Sequence, residues 1–132
     1  MRLEKLNGTD QRLYQFVAPL VMSTAVLRLN NNYPFKTSIH HVWFVALEDE
    51  QVVGFIPVEV RNKTAVINNY YAKGDDLQTL VFLLDQLIPC FVDQYKLQAV
   101  AHTRHLAVFQ ENGFFVIRTW KLYMKMEYQI KK

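Results

Sequence analysis

The chain has 132 residues, 51% of them apolar and 20% charged, with four Gly and four Pro. That length suits one domain with a packed core, since domains cluster around ~100–150 residues, and the composition excludes collagenous, low-complexity and disordered classes. The net charge of +3 at pH 7 favours anionic ligands, and it leaves nucleic acid open as a partner without arguing for it, because no block of five or more basic residues exists.

The amino terminus, Met1-Arg2-Leu3-Glu4-Lys5, is not followed by an uninterrupted apolar run, and nothing in the chain approaches the ~18–20 apolar residues a membrane span requires. A protein of the cytoplasm with no membrane partner is expected. From Thr9-Asp10 onward, Leu13, Phe16, Val17, Leu20 and Val21 recur at spacings of three and four, which predicts a helix capped by Asp10 or Thr9. Pro19 predicts a kink or break near its end. Asn30-Asn31-Asn32-Tyr33-Pro34 reads as a loop.

The runs 41–47 and 52–60 are β-rich and flank the acidic turn Glu48-Asp49-Glu50-Gln51, so they form a hairpin. Pro57 cannot donate to a ladder and marks either an unpaired edge, the commoner case, or a bulge. A third run, 64–71, follows the turn Arg61-Asn62-Lys63 and completes an antiparallel meander. The period then changes: Leu77, Leu80, Val81, Leu84, Leu87, Ile88 and Phe91 keep one helical face apolar, with Asp75 and Asp76 at its start and Pro89 expected to kink or interrupt it. The lone Cys90 cannot form an internal disulfide; within Ile88-Pro89-Cys90-Phe91-Val92 it is expected to be a buried small hydrophobe in a reducing compartment.

Residues 97–101 read as a short buried strand and 103–112 as a short helix closed by Gly113. Strand, crossover helix and strand imply parallel pairing. From Phe114 to Tyr128, Trp120, Leu122, Met124, Met126 and Tyr128 alternate with Lys121, Tyr123, Lys125 and Glu127, which reads as a final strand with one face in the core. The whole is an α/β (α+β) domain spanning residues 1–132.

This order of elements and its local sequence resemble the GNAT superfamily of acyl-CoA-dependent N-acyltransferases from about residue 41 to 128. Ala107-Val108-Phe109-Gln110-Glu111-Asn112-Gly113-Phe114 is similar to the family's helix ending in "L-Y-E-K-L-G-F", and the hairpin's Trp43-Phe44-Val45-Ala46 and Val52-Val53-Gly54-Phe55 resemble its second and third strands. The resemblance implies a GNAT-like mixed sheet: an antiparallel meander, a parallel β-α-β crossover and a C-terminal hairpin strand, with helices on both faces. It also implies an acetyl-CoA (acyl-CoA) cosubstrate in a cleft between splayed strands, and a primary amine as acceptor. Asn69, Tyr70, Tyr71 and Ala72 match the strand that lines the pantetheine arm, and Lys73, Gly74, Asp75, Asp76 and Leu77 match the diphosphate loop, whose exposed amides and helix dipole suit an anion. Asp76 stands at the loop's second small position, Tyr71 replaces its basic or amide residue, and Phe109 replaces the tyrosine that protonates the leaving thiolate.

Aminolysis of a thioester calls for a base, a polarised carbonyl and a tolerable thiolate. His102, directly after the strand 97–101, is a candidate base; Glu59, at the end of the hairpin, is a second. Tyr70 and Tyr71 alternate on their strand, so one points into any cleft there and can donate to the thiolate. His40, His41, His102 and His105 lack ligand spacing for a metal, and none is expected. The alternative to an enzyme is a GNAT-like domain that binds a protein or nucleic acid. The acceptor amine and the oligomeric state are not written in these patterns.

Overall fold

The computed structural model describes residues 1–129. One eight-stranded sheet organises them: β1 (Arg2–Asn7), β2 (His41–Glu48), β3 (Gln51–Arg61), β4 (Thr64–Ile67), β5 (Tyr71–Ala72), β6 (Lys96–His102), β7 (Phe114–Thr119) and β8 (Tyr123–Tyr128). The helices are α1 (Gln11–Val21), α2 (Thr24–Leu29), α3 (Leu77–Phe91) and α4 (Leu106–Glu111). The strand order is β1-β2-β3-β4-β6-β8-β7, with β5 added to β3. Every pairing is antiparallel except β4 with β6. None of the described helices is long and apolar enough to cross a membrane.

Two layers of side chains leave the sheet on opposite faces because strand residues alternate. Phe44, Ile56, Ala65, Ile67, Ala99, Met124 and Met126 meet α3 and α4. Trp43, Val45 and Phe55 meet Leu13 and Val17 of α1. Asp10 caps α1 by accepting from Arg12 N–H at 2.9 Å, and α1 continues past Pro19 to Val21 before Ser23 caps α2. In α3, Leu80, Leu83, Leu84 and Leu87 are at most 1% exposed, each contributing about 1.5–3 kcal/mol of burial before chain entropy is set against it.

The structure corrects several sequence expectations. β1 was not foreseen: its Arg2, Glu4 and Lys5 hide a strand that buries only Leu6 fully. Cys90 is exposed, because α3 turns Leu87 and Phe91 to the core and Cys90 away from it; Pro89 does not interrupt the helix. The final run is a hairpin whose turn, 120–122, exposes Trp120 and Leu122. β8, not β7, lies against β6.

Pro57 is no edge residue, since β3 lies between β2 and β4. Val60 N–H donates to His40 O at 2.7 Å, so the residues between, Phe55, Pro57 and Glu59, direct their backbone groups toward β4 and β5. Between the pairs Val58–Ile67 and Phe55–Tyr71, two residues of β3 oppose three, Asn68 to Tyr70. This is a bulge, and it divides the expected single run 64–71 in two. Pro57, itself buried, has no N–H, so the break orphans no donor there.

Candidate functional site

The bulge opens the sheet. β4 and β6 pair as far as Ile67 and Ala99; beyond them β5 turns to β3 while β6 continues to His102. Lys96 N–H donates to Lys63 O at 2.8 Å, and steps of two along β6 place His102 N–H on the same side. No strand carbonyl remains there to receive it. The Tyr70 hydroxyl accepts it instead, at 3.2 Å, so Tyr70 sits between the two diverging arms.

From Tyr70 a chain of bonds crosses to the other arm. Its hydroxyl meets His105 Nδ1 at 2.6 Å, and His105 Nε2 meets Asp75 Oδ1 at 2.8 Å. Asp75 also accepts from Arg104 Nε at 3.0 Å. A carboxylate can only accept, which assigns the proton to Nε2; Nδ1 then receives the Tyr70 O–H. His105 is 3% exposed, and burial holds its pKa below the ordinary histidine value despite the Asp75 carboxylate. Burial raises the Tyr70 hydroxyl strongly. For Asp75 burial acts upward, but the hydrogen bonds from Arg104 and His105 prevail and its pKa is lowered.

The loop that begins α3 is a single 3-10 turn, Lys73–Asp75. Gly74 has φ +64° with nothing within 4 Å of where a Cβ would stand, which leaves room for close backbone approach. Asp75 has φ +56°, a conformation Asp tolerates better than most residues, and its side chain turns to Arg104. Asp76 is the N-cap of α3, accepting from Gln78 N–H at 3.2 Å and Thr79 Oγ1 at 2.8 Å. Lys73 and Leu77 are exposed, and Ala72 pairs with Gly54. A Cβ at Gly54 would stand 2.8 Å from Thr79 Cγ2 and Tyr71 O, so the glycine lets β5 and α3 lie close to β3.

On the α1 side of the sheet, the cover ends near Phe55, and an open cavity of about 840 Å³ follows. Glu59, Arg61, Val66 and Tyr123 line it from the sheet, and Tyr33 and Trp120 from the loops. Glu59 is its one carboxylate among the described residues; it pairs with Arg61 at 2.9 Å and lies opposite His41 in the ladder. His41 Nδ1 meets Ser38 Oγ at 2.8 Å, and burial lowers its pKa. Asn69 ties the cavity wall to the loop by donating from Nδ2 to Pro34 O at 2.8 Å. The Tyr123 hydroxyl is buried without a hydrogen-bond partner among the described residues.

Of the other sequence candidates, His102 accepts Arg104 N–H on Nδ1 at 3.1 Å. The neutral ring therefore carries its proton on Nε2 and offers no free lone pair. Tyr71 packs its ring on Phe55, 5.5 Å between centroids, on the α1 side. Phe109 is fully buried between Tyr70 and Phe114. Among the described residues no three His, Cys, Asp or Glu side chains gather as a metal site would need. Of the residues singled out in the sequence, Glu59 lines the cavity, and Tyr70 and Asp75 are joined through His105, a histidine the sequence offered only as a metal ligand. His105 lies on a 3-10 turn with no partner nearby in sequence, so no local signal marks it.

No protein-family model and no curated protein matches the sequence. Solved structures do. An acyl-CoA N-acyltransferase from Pseudomonas aeruginosa is similar at TM-score 0.76 and 13% identity, over 98% of this chain and 100% of that one. ElaA from Escherichia coli is similar at 0.72 and 12%, over 98% and 100%. A GNAT family acetyltransferase from Elizabethkingia anophelis with acetyl-CoA bound is similar at 0.63 and 13%, over 96% and 95%. With mixed sheet, single parallel pair and splayed strands all in place, this chain has the fold of the GNAT acyltransferases.

Proposed function

We propose that the protein transfers an acyl group, in the simplest case acetyl, from acyl-CoA to a primary amine. The observation that carries this reading is the meeting of two openings at Asn68 and Asn69: the gap between β5 and β6, and the cavity above Glu59 and Val66. A thioester entering through the gap would face an amine entering through the cavity, the arrangement that turns a bimolecular reaction into a positioned one. The similar structure from Elizabethkingia anophelis holds acetyl-CoA, which supports the same cosubstrate here.

In this reading Asn69 to Ala72 line the pantetheine arm, while Lys73, Gly74 and the start of α3 receive the diphosphate. Asp76 is occupied as a cap and Asp75 by Arg104, so neither charge stands unmatched beside the phosphates. Phe109 supports Tyr70 from behind. Glu59 attracts the acceptor's ammonium into a cavity otherwise lined by Lys36, Arg61 and Lys121. Attack by the neutral amine forms the C–N bond as the C–S bond breaks.

Acetyl-CoA binding tests it. A ligand specific for the native state stabilises it by about 2.7 kcal/mol at a hundredfold excess over Kd, so a thermal melt with millimolar acetyl-CoA is expected to rise by several degrees. No rise would overturn the reading and leave a GNAT-fold domain with a different partner.

A further inference from the structure

We propose, on the acyltransferase reading, that the acceptor held above Glu59 and Val66 carries both signs of charge: a primary amine joined through a flat aromatic body to an anionic group at its far end.

Charge is unevenly placed in this cavity. His41, Glu59 and Val66 are cross-strand neighbours on β2, β3 and β4, and strand alternation turns them to the open face with Val100 and Tyr123. Glu59 therefore stands on the floor, its side chain 21% exposed. Arg61 holds Oε2 of that carboxylate through Nε and Nη2, both at 2.9 Å, which leaves Oε1 without a partner among the described residues. Burial lowers the pKa of His41, so its ring adds no charge at neutral pH. Lys36 and Lys121 line the cavity from exposed positions, and neither has a carboxylate within 4.0 Å among the described residues.

With the Glu59–Arg61 pair set aside, the two lysines are a surplus that repels an acceptor carrying positive charge alone. An acceptor that also carries an anion meets both signs. Its ammonium goes to Glu59 Oε1 on the floor, which reaches the gap through Asn68 and Asn69, and its anion goes to the lysines at the rim.

The rest of the lining suits a ring. Tyr33 and Trp120 are 56% and 42% exposed, and Tyr33 stands edge-on to Tyr123 with centroids 6.1 Å apart. Exposed aromatic side chains gathered around one concavity offer a flat apolar body a place to stack. The segments that carry them are tied down: Asn69 Nδ2 donates to Pro34 O at 2.8 Å, and Trp120 N–H donates to Tyr123 O at 2.8 Å. Lys36 and Lys121 lie on those same two segments, so the fold fixes where the positive rim stands. The cavity, about 840 Å³, has room for a ring with a substituent at each end, being within the ~300–1,000 Å³ of small-molecule sites.

Two probes separate the anion from the rest: para-(aminomethyl)benzoate carries amine, ring and carboxylate in that order, and benzylamine lacks only the carboxylate. Calorimetry on the full chain at pH 7.5 with CoA present is expected to give the benzoate a Kd about tenfold below that of benzylamine. Lys36→Gln combined with Lys121→Gln is expected to bring the two values together, whereas Glu59→Gln weakens both probes. Thiol release from acetyl-CoA is expected to show the same preference in kcat/KM, and the matching phosphonate distinguishes a phosphate-like anion from a carboxylate by the tighter binding. Benzylamine binding as well as the benzoate, a preference that survives the double lysine variant, or binding of neither probe overturns the proposal; thiol release with benzylamine would then leave the acyltransferase reading in place. The reverse is equally visible. If the benzoate binds with the expected lysine dependence but no thiol is released, the acyltransferase reading falls and the cavity keeps its ligand chemistry.

Discussion

Ile67 and Val66 are neighbours on β4, yet they belong to different regions of the molecule. Ile67 is fully buried beneath α3, with Ala99 and Met126 beside it; Val66, one residue away, lines an open cavity with Val100. The strand sequence is almost equally apolar on both sides. What separates core from cleft is the cover: α3 and α4 lie along one face, whereas α1 covers the other only over β1, β2 and the start of β3. Burial is thus decided by helices distant in sequence, while polar chemistry collects where their cover ends.

Substitutions on each side would break or sharpen this contrast. The largest effect is expected on the covered face: Phe109→Ala removes a fully buried ring and is expected to cost about 3–5 kcal/mol, read from the urea unfolding midpoint. A loss under about 1 kcal/mol would mean that this face is not closely packed. Acidification comes next. Burial lowers the pKa of His41, His102 and His105 in the folded state, so the unfolded chain takes up protons first. Their contribution is complete above the ordinary value of 6.5 and is lost as pH falls through the lower folded values; for the buried His105, each tenfold drop in proton affinity on folding is worth about 1.36 kcal/mol. Melting temperatures measured from pH 7.5 to 5 are expected to decline, and a flat profile would contradict the assigned neutral rings. The smallest stability effect is on the open face: Glu59→Gln is expected to change unfolding free energy by no more than about 0.5 kcal/mol, because its ion pair with Arg61 is exposed. The same variant is expected to raise KM for a cationic amine about tenfold with little change for acetyl-CoA.

Much of this architecture was legible in the sequence. The hairpin of β2 and β3, the Asp10 cap and the apolar face of α3 follow from local patterns, and the crossover implied the parallel pair. What was hidden depended on partners. β1 alternates charges with few apolar residues and becomes a strand because β2 offers it an edge. The final hairpin lacks Gly, Pro, Asn and Asp at its turn, so alternation ran through it unbroken. Glu59 stands out in the sequence because it ends the hairpin strand, and Tyr70 because alternation sends it or Tyr71 toward the gap; His105 acquires meaning only when Asp75, thirty residues earlier, folds back to it.

Pro57 shapes the cleft through its backbone. Any other residue at that position would bring a buried backbone N–H directed at Asn68 to Tyr70, where no strand lies in register to receive it. An unsatisfied donor of that kind costs about 1–3 kcal/mol, and the chain could escape it by drawing the neighbouring strand into register and zipping the opening shut. The entrance to the cavity thus depends on a group that is missing, the backbone N–H that proline lacks, as well as on the side chains that line it.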